Sequence, residues 1–174
     1  AEIKINPKLK FNDFSGFNEF HNHLKQNVNS YNLIEQHHLI QIKGISHASK
    51  DLEKSNVAER QAESPLKILK HKYNIPVQIT SQYQDALSTG SGITLWAIFS
   101  KNKDDIDENN PIRLGSDSLG ERGKRAEDVG VEAAKSLIKE IEGKAPVDMH
   151  LADQILPFMA LAGGQIRTSE ITNH

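Results

Sequence analysis

The 174 residues carry a formal net charge of −2, eight histidines and no cysteine, which excludes disulfides and thiolate metal sites and leaves no global basic field, so any contact with a polyanion has to be local. Length allows one ordinary core or two small ones. No run of about eighteen apolar residues occurs and Ala1 opens without a charged-then-apolar leader, so the expectation is a soluble cytoplasmic protein with no membrane span.

Residues 2–6 alternate, with Ile3 and Ile5 on one face, and read as a half-buried strand ended by Pro7. A chain that opens on strand, and not on Met, is expected to start inside a larger protein. Residues 12–31 turn to Asn, His and Phe; Phe17, Phe20 and Leu24 have roughly helical spacing, which makes this a surface segment with room for one helix. Residues 32–46 hold two strands with His37-His38 at the bend. Residues 56–73 read as a helix whose apolar line includes Val57, Ile68 and Leu69, with Gln61 as a gap. Pro65, lacking the donor for residue 61, should kink or interrupt it. Residues 77–80 and 92–99 are further strands, the second rich in Ile, Trp and Phe, and residues 101–110 form a charged connection.

Residues 125–142 form the clearest amphipathic helix, with Ala126, Val129, Ala133, Leu137, Ile138 and Ile141 in one stripe and Gly143 suiting its end. After Ala145-Pro146 comes a last helix, residues 148–162, capped by Asp148 and closed by Gly163-Gly164. A short polar strand then leads to His174. The order of elements predicts an α+β fold: a compact middle unit of about a hundred residues, flanked by two pieces too small to fold alone.

Several residue groups could carry chemistry. His21 and His23 are two apart and His37 and His38 adjacent, neither being the i, i+4 pair that presents two imidazoles to one ion, so no metal site is expected from them. Gly90-Ser91-Gly92 precedes a strand where a phosphate loop needs a helix, and reads as a strand-opening turn. Arg122, Lys124 and Arg125 could meet the phosphates of a polynucleotide at a helix N-terminus; the preferred reading is a solvated helix start paired with Glu121, Glu127 and Asp128. On the last helix His150, Asp153 and Gln154 lie at i, i+3 and i+4 and share one face, while Leu151, Ile155, Phe158 and Met159 are left free to pack. The strand after the glycines can return His174 towards that polar face. On pattern alone, a buried helix with a polar first turn and a chance histidine is the stronger reading.

Five segments in order change that balance: Gly44-Ile-Ser-His-Ala-Ser49, Val57-Ala-Glu-Arg-Gln-Ala62, Gly90-Ser-Gly-Ile-Thr-Leu-Trp-Ala97, Leu119-Gly-Glu-Arg-Gly-Lys-Arg-Ala126 and Val147-Asp-Met-His-Leu-Ala-Asp-Gln154. From about Leu33 onward the chain resembles the RNA 3'-terminal phosphate cyclases, more the archaeal and eukaryotic branch than the bacterial one. The resemblance implies a large domain of repeated sheet-and-helix units, akin to the enolpyruvyl transferase and initiation-factor C-terminal folds, interrupted by a smaller α+β insert. The insert maps to residues 38–144, with residues 1–37 and 145–174 as strips of the large domain; the family's N-terminal half is missing from this sequence.

The activity so implied is ATP-dependent conversion of an RNA 3'-phosphate to a 2',3'-cyclic phosphate. His174 is the implied catalytic nucleophile, carrying AMP as a covalent intermediate, and His150, Leu151, Ala152, Asp153 and Gln154 are the implied nucleotide cradle. Implied partners are ATP, Mg²⁺ or Mn²⁺, an RNA with a 3'-terminal phosphate, and the missing N-terminal half. With the triphosphate, metal and RNA ligands expected in that half, this polypeptide alone is expected to be inactive. The rival reading is a non-catalytic cyclase-like protein of ribosomal RNA processing; such proteins lack the nucleophilic histidine. A third is an RNA-binding insert working alone through residues 120–125.

Overall fold

A computed structural model describes residues 11–27, 31–103 and 112–171. The expected strand at residues 2–6, most of the charged connection and His174 lie outside the described residues.

After a 3-10 turn at Phe11–Asp13, helix α1 (Phe17–Asn27) realises the one helix expected in the Asn-rich segment and has no buried residue. Glu19 accepts from the Ser15 backbone N–H at 2.8 Å and so satisfies a donor ahead of the first turn. Strand β1 (Tyr31–Leu33) follows, and the chain turns at His37, whose φ of 65° is left-handed, into the long strand β2 (His38–Ser49). The bend expected at the histidine pair is therefore where the chain makes it.

A 3-10 turn (Lys50–Ser55) leads into α2 (Val57–Lys72), then β3 (Val77–Gln84), β4 (Ser91–Ser100), β5 (Ile112–Leu119) and α3 (Ala126–Glu142). The sheet order is β3-β2-β4-β5, with β3 parallel to β2 and the other neighbours antiparallel. The parallel β2–β3 pair is possible because α2 supplies the crossover. Strand β5 was not anticipated. Its inward positions are Leu114, Ser116 and Ser118, all buried. Hydroxyls stand where an apolar alternation would have signalled a strand. Ser116 Oγ donates to the Ala133 carbonyl at 2.9 Å, so the buried hydroxyl is satisfied by the helix above it.

Helices α2 and α3 run in the same direction over one sheet face. They are tied near both ends, by Arg60 to Glu127 at 2.8 Å and by Lys72 to Glu142 at 2.7 Å. Beneath them lies the core, in which Ile42, Leu69, Ile93, Leu95, Phe99, Leu114, Val129 and Leu137 are fully or almost fully buried. The α3 stripe read from sequence is the buried one, Ile138 alone being half-buried. Gly143 does not supply a left-handed end; it stays helical and Lys144 takes φ 55°.

Pro65 does not interrupt α2, which is continuous from Val57 to Lys72. The carbonyl of Gln61, deprived of its helical partner by the proline, faces α3 at Gly130. A Cβ there would lie 2.2 Å from that oxygen and 2.6 Å from Pro65 Cδ. Proline and glycine thus make one close helix crossing. The Gln61 "gap" in the apolar line is also filled: its amide is fully buried and donates to Ser46 Oγ at 2.9 Å and to the Gly92 carbonyl at 2.5 Å, linking helix, β2 and β4.

Helix α4 (Met149–Ala162) and strand β6 (Gly164–Ile166) complete the chain. The two glycines end α4 as read from sequence, with φ of 76° at Gly163 and 132° at Gly164. Strand β6 pairs in parallel with β1, and an isolated bridge joins Val147 to Thr168, so the segment before β2 and the last described residues meet in a second, small sheet. Helix α1 lies beside α4. Among the described residues no helix is long and apolar enough to cross a membrane.

Candidate functional site

Asp148 starts the last helix as the sequence predicts: it has extended backbone and its Oδ1 accepts from the Leu151 N–H at 2.8 Å. The first turn of α4 is therefore already capped by a carboxylate. The carboxylate of Asp148 meets the positive pole of that helix end. The sequence-predicted cradle follows on the first two turns. His150 and Gln154 are exposed, Asp153 is half-buried, Ala152 is buried at 6% exposure and Leu151 is 38% exposed. Helical spacing places His150, Asp153 and Gln154 on one face. An imidazole and an amide open to solvent suit the sugar and base of a nucleotide: one offers a ring for stacking, the other a donor and an acceptor.

The apolar stripe departs from expectation. Leu151 and Phe158 were expected to be free to pack, and both are exposed, Phe158 at 60%. Leu156 is exposed as well, at 52%. Ile155 and Met159 are half-buried.

The segment leading to His174 is described as far as Ile171 and is held at several points. Arg167 N–H donates to the Leu33 carbonyl at 2.8 Å, Ser169 N–H to the Val147 carbonyl at 3.2 Å, and Lys139 Nζ pairs with Glu170 at 2.8 Å. Ser169 Oγ donates to the buried carboxylate of Glu140. Gln36, buried between β1 and β2, donates its amide to the Ile141 and Ala145 carbonyls at 3.2 and 3.1 Å and fixes the link between α3 and α4. Sequence reading singled out none of Gln36, Glu140 and Ser169, because each looks like an ordinary surface polar residue until its partners are known.

The other candidates resolve locally. Residues 90–92 are the strand-opening turn read from sequence: Ser49 N–H donates to the Gly90 carbonyl at 2.9 Å, and Gly120 N–H to the Ser91 carbonyl at 2.9 Å. In the basic cluster Lys124 pairs with Glu132, a partner not anticipated, and Arg125 lies 3.7 Å from Glu127. The solvated, acid-paired helix start describes Arg125, whereas Lys124 is half-buried and acid-paired with a residue of α3. Arg122 is exposed and has no ion pair among the described residues. His21 stacks on Phe17 and His23 tilts against Phe14, with centroids 5.7 and 5.2 Å apart. Among the described residues no three of His, Asp and Glu gather around a point that could hold a metal ion.

The five ordered segments interlock. Ser46 and Ser49 of the first, Gln61 of the second and residues 90–92 of the third share the hydrogen bonds given above, and Gly120 of the fourth joins the third. The fifth reaches β5 through Asp148, whose Oδ2 accepts from Gly115 N–H at 3.1 Å.

A family model described as the insert domain of RNA 3'-terminal phosphate cyclase matches residues 34–142. Proteins named RNA 3'-terminal phosphate cyclase are similar to this chain: that of Thermococcus onnurineus is 43% identical over 141 residues, covering 81% of the chain and 38% of the relative. That of Sulfurisphaera tokodaii is 45% identical over 152 residues, covering 87% and 41%, and that of Pyrococcus furiosus 41% identical over 140 residues, covering 80% and 37%. The chain thus spans about two fifths of the length of the relatives it matches. More than half of its residues fall within the matched insert, and the chain belongs to the RNA 3'-terminal phosphate cyclase family.

Proposed function

We propose that this chain is a portion of an ATP-dependent RNA 3'-phosphate cyclase of the cytoplasm, in which an insert at residues 38–144 interrupts a larger domain represented by residues 1–37 and 145–174. The observation that carries the reading is the exposed polar face of α4, His150 and Gln154, just ahead of a tethered segment that runs to His174, in a chain whose relatives bear the cyclase name. The parallel pairing of β1 with β6 supports the division, since it joins the two outer strips to each other.

In this reading a neutral imidazole nitrogen of His174 attacks the α-phosphorus of ATP. An N–P bond forms, the bond from the α-phosphorus to the bridging oxygen breaks, and pyrophosphate leaves with the electron pair. A histidine suits the step because its reference pKa of about 6.5 leaves it mostly unprotonated at neutral pH. The RNA 3'-phosphate oxygen then displaces the histidine to take AMP, and the neighbouring 2'-hydroxyl, losing its proton, displaces AMP to close the 2',3'-cyclic phosphate. His150, Leu151, Ala152, Asp153 and Gln154 cradle the adenosine. Mg²⁺ or Mn²⁺ would neutralise the triphosphate, with ligands drawn from the rest of the full chain.

The test is intact mass of the full-length protein before and after ATP and Mg²⁺. An AMP-sized gain that His174→Ala abolishes is the expected result. No gain in the full-length protein would overturn the reading in favour of a non-catalytic relative acting in ribosomal RNA processing. The isolated 174-residue chain is expected to gain nothing, and an adduct on it would show that the triphosphate site is local.

A further inference from the structure

Among the described residues, contacts at two places join the insert to the elements of the proposed nucleotide site, and they fall on its two halves separately. The Asp148 carboxylate is buried at 8% exposure and commits one oxygen to each side: Oδ1 to Leu151 N–H in α4 at 2.8 Å, Oδ2 to Gly115 N–H in β5 at 3.1 Å. Strand β5 is the outer strand of the four, so a backbone donor that an edge leaves unpaired is taken up by the helix cap. Helix α4 cannot rotate or slide along the sheet without surrendering one of these charge-assisted bonds. The second contact is on α3. Glu140, buried at 5% exposure, receives the Ser169 hydroxyl, and its neighbour Lys139 holds Glu170 at 2.8 Å. These are the residues through which the chain approaches His174.

We infer that Asp148 and Glu140 are positioning residues, through which the insert sheet holds the nucleotide-binding face of α4 and the last turn of α3 holds the segment presenting His174. The inference rests on the nucleotidyl-transfer reading and gives the insert a part in it: the insert is the mount on which the two halves of the site are aligned. The two latches then govern different kinetic quantities. Loosening α4 weakens the hold on adenosine and raises the ATP concentration needed. Loosening the terminal segment misplaces the nucleophile and lowers the rate at saturating ATP.

Substitutions can separate the two. Asn caps a helix as well as Asp does, so Asp148→Asn keeps the α4 cap with its one carbonyl oxygen but turns an amide donor towards the Gly115 N–H. Gly115→Pro deletes the donor from the other side, on an edge strand where the lost N–H serves the Asp148 carboxylate. Ser169→Ala removes the hydroxyl held by Glu140, and Ser169→Thr keeps one.

Single-turnover adenylylation of the full-length protein, followed over a range of ATP concentrations, provides the test. Asp148→Asn and Gly115→Pro are each expected to raise the half-saturating ATP concentration about tenfold with little change in the limiting rate, and the double variant to do no more than either alone. Ser169→Ala is expected to slow the limiting rate about tenfold at unchanged half-saturation, with Ser169→Thr recovering most of it. Both latches moving the same quantity equally, or neither moving any, would overturn the inference. Amide exchange in Asp148→Asn supplies a readout independent of catalysis and of whether Gly115→Pro folds: Gly115 should exchange faster while Leu151 stays protected, and unchanged protection at Gly115 would count against the latch. A wild-type protein that forms no adduct sinks the nucleotidyl-transfer reading; one that forms it without the kinetic split sinks only this inference.

Discussion

Helices α3 and α4 succeed one another in the chain and are built on opposite plans. Helix α3 alternates Glu and Lys with a stripe of Val129, Ala133, Leu137 and Ile141, and that stripe is buried against the sheet. Helix α4 has no Lys or Arg and carries apolar residues around most of its circumference, yet Leu151, Leu156 and Phe158 remain exposed. A helix with that much apolar surface can pack on more than one side. The contrast separates a helix that completes the core of its own unit from one whose apolar side chains stay open among the described residues. The exposed Phe17 of α1, beside α4, fits the same account.

The sharpest way to break the comparison is to truncate matched apolar side chains in the two helices. Leu137→Ala, at a fully buried site, is expected to cost about 2–5 kcal/mol in urea unfolding of this chain. Gly130→Ala comes next. Its new methyl meets the Gln61 carbonyl and the Pro65 ring, an overpacking cost of about 1–3 kcal/mol, against which the helix-propensity gain of about 1 kcal/mol works. The expected net is a loss, read as a lower urea midpoint, and a gain would mean that the α2–α3 crossing is looser than its geometry.

A smaller effect concerns the ion pair that ties the same helices. The Arg60 guanidinium, donating to both oxygens of Glu127, holds that carboxyl at about 2 against an ordinary value of 4.5. A pKa lowered in the folded state contributes stability that is complete above the unfolded value and is lost as pH falls through the folded one. Melting temperature should therefore fall more steeply in wild type than in Arg60→Ala between about pH 4.5 and about pH 2, the two curves converging at the acid end. Parallel curves would show the pair to be without effect, as exposed pairs can be. Smallest of all, Phe158→Ser should leave the stability of this chain within about 0.5 kcal/mol. A loss as large as that of Leu137→Ala would erase the distinction between the two helices.

The readable parts of the sequence were those where period and chemistry coincide. The α3 stripe, the Asp148 cap, the glycine stop at 163–164 and the bend at His37 each depend on a few neighbouring residues, and local sterics decide them. Strand β5 escaped because its inward positions include Ser116 and Ser118, whose hydroxyls bond to α3. Pro65 misled for a related reason: a missing helix donor is disruptive only if the freed carbonyl has nowhere to go, and here Gly130 lets α3 come close to it. Of the candidate site, the shared face of His150, Asp153 and Gln154 follows from helical spacing. Its attachment does not, since Glu140 and Ser169, or Gly115 and Asp148, lie tens of residues apart.

By itself the sequence determined the α+β class, the amphipathic helix and its stripe, the capped last helix and, through five ordered segments, the family. Those are properties of neighbours in the chain, set by backbone sterics and hydrophobic period. Tertiary structure alone decided which polar residues are buried and what they bond to: the Gln61 amide nitrogen between two strands, Glu140 under Ser169, and Asp148 divided between α4 and β5. A buried polar group is stable only with its partner, and that partner is found across the fold.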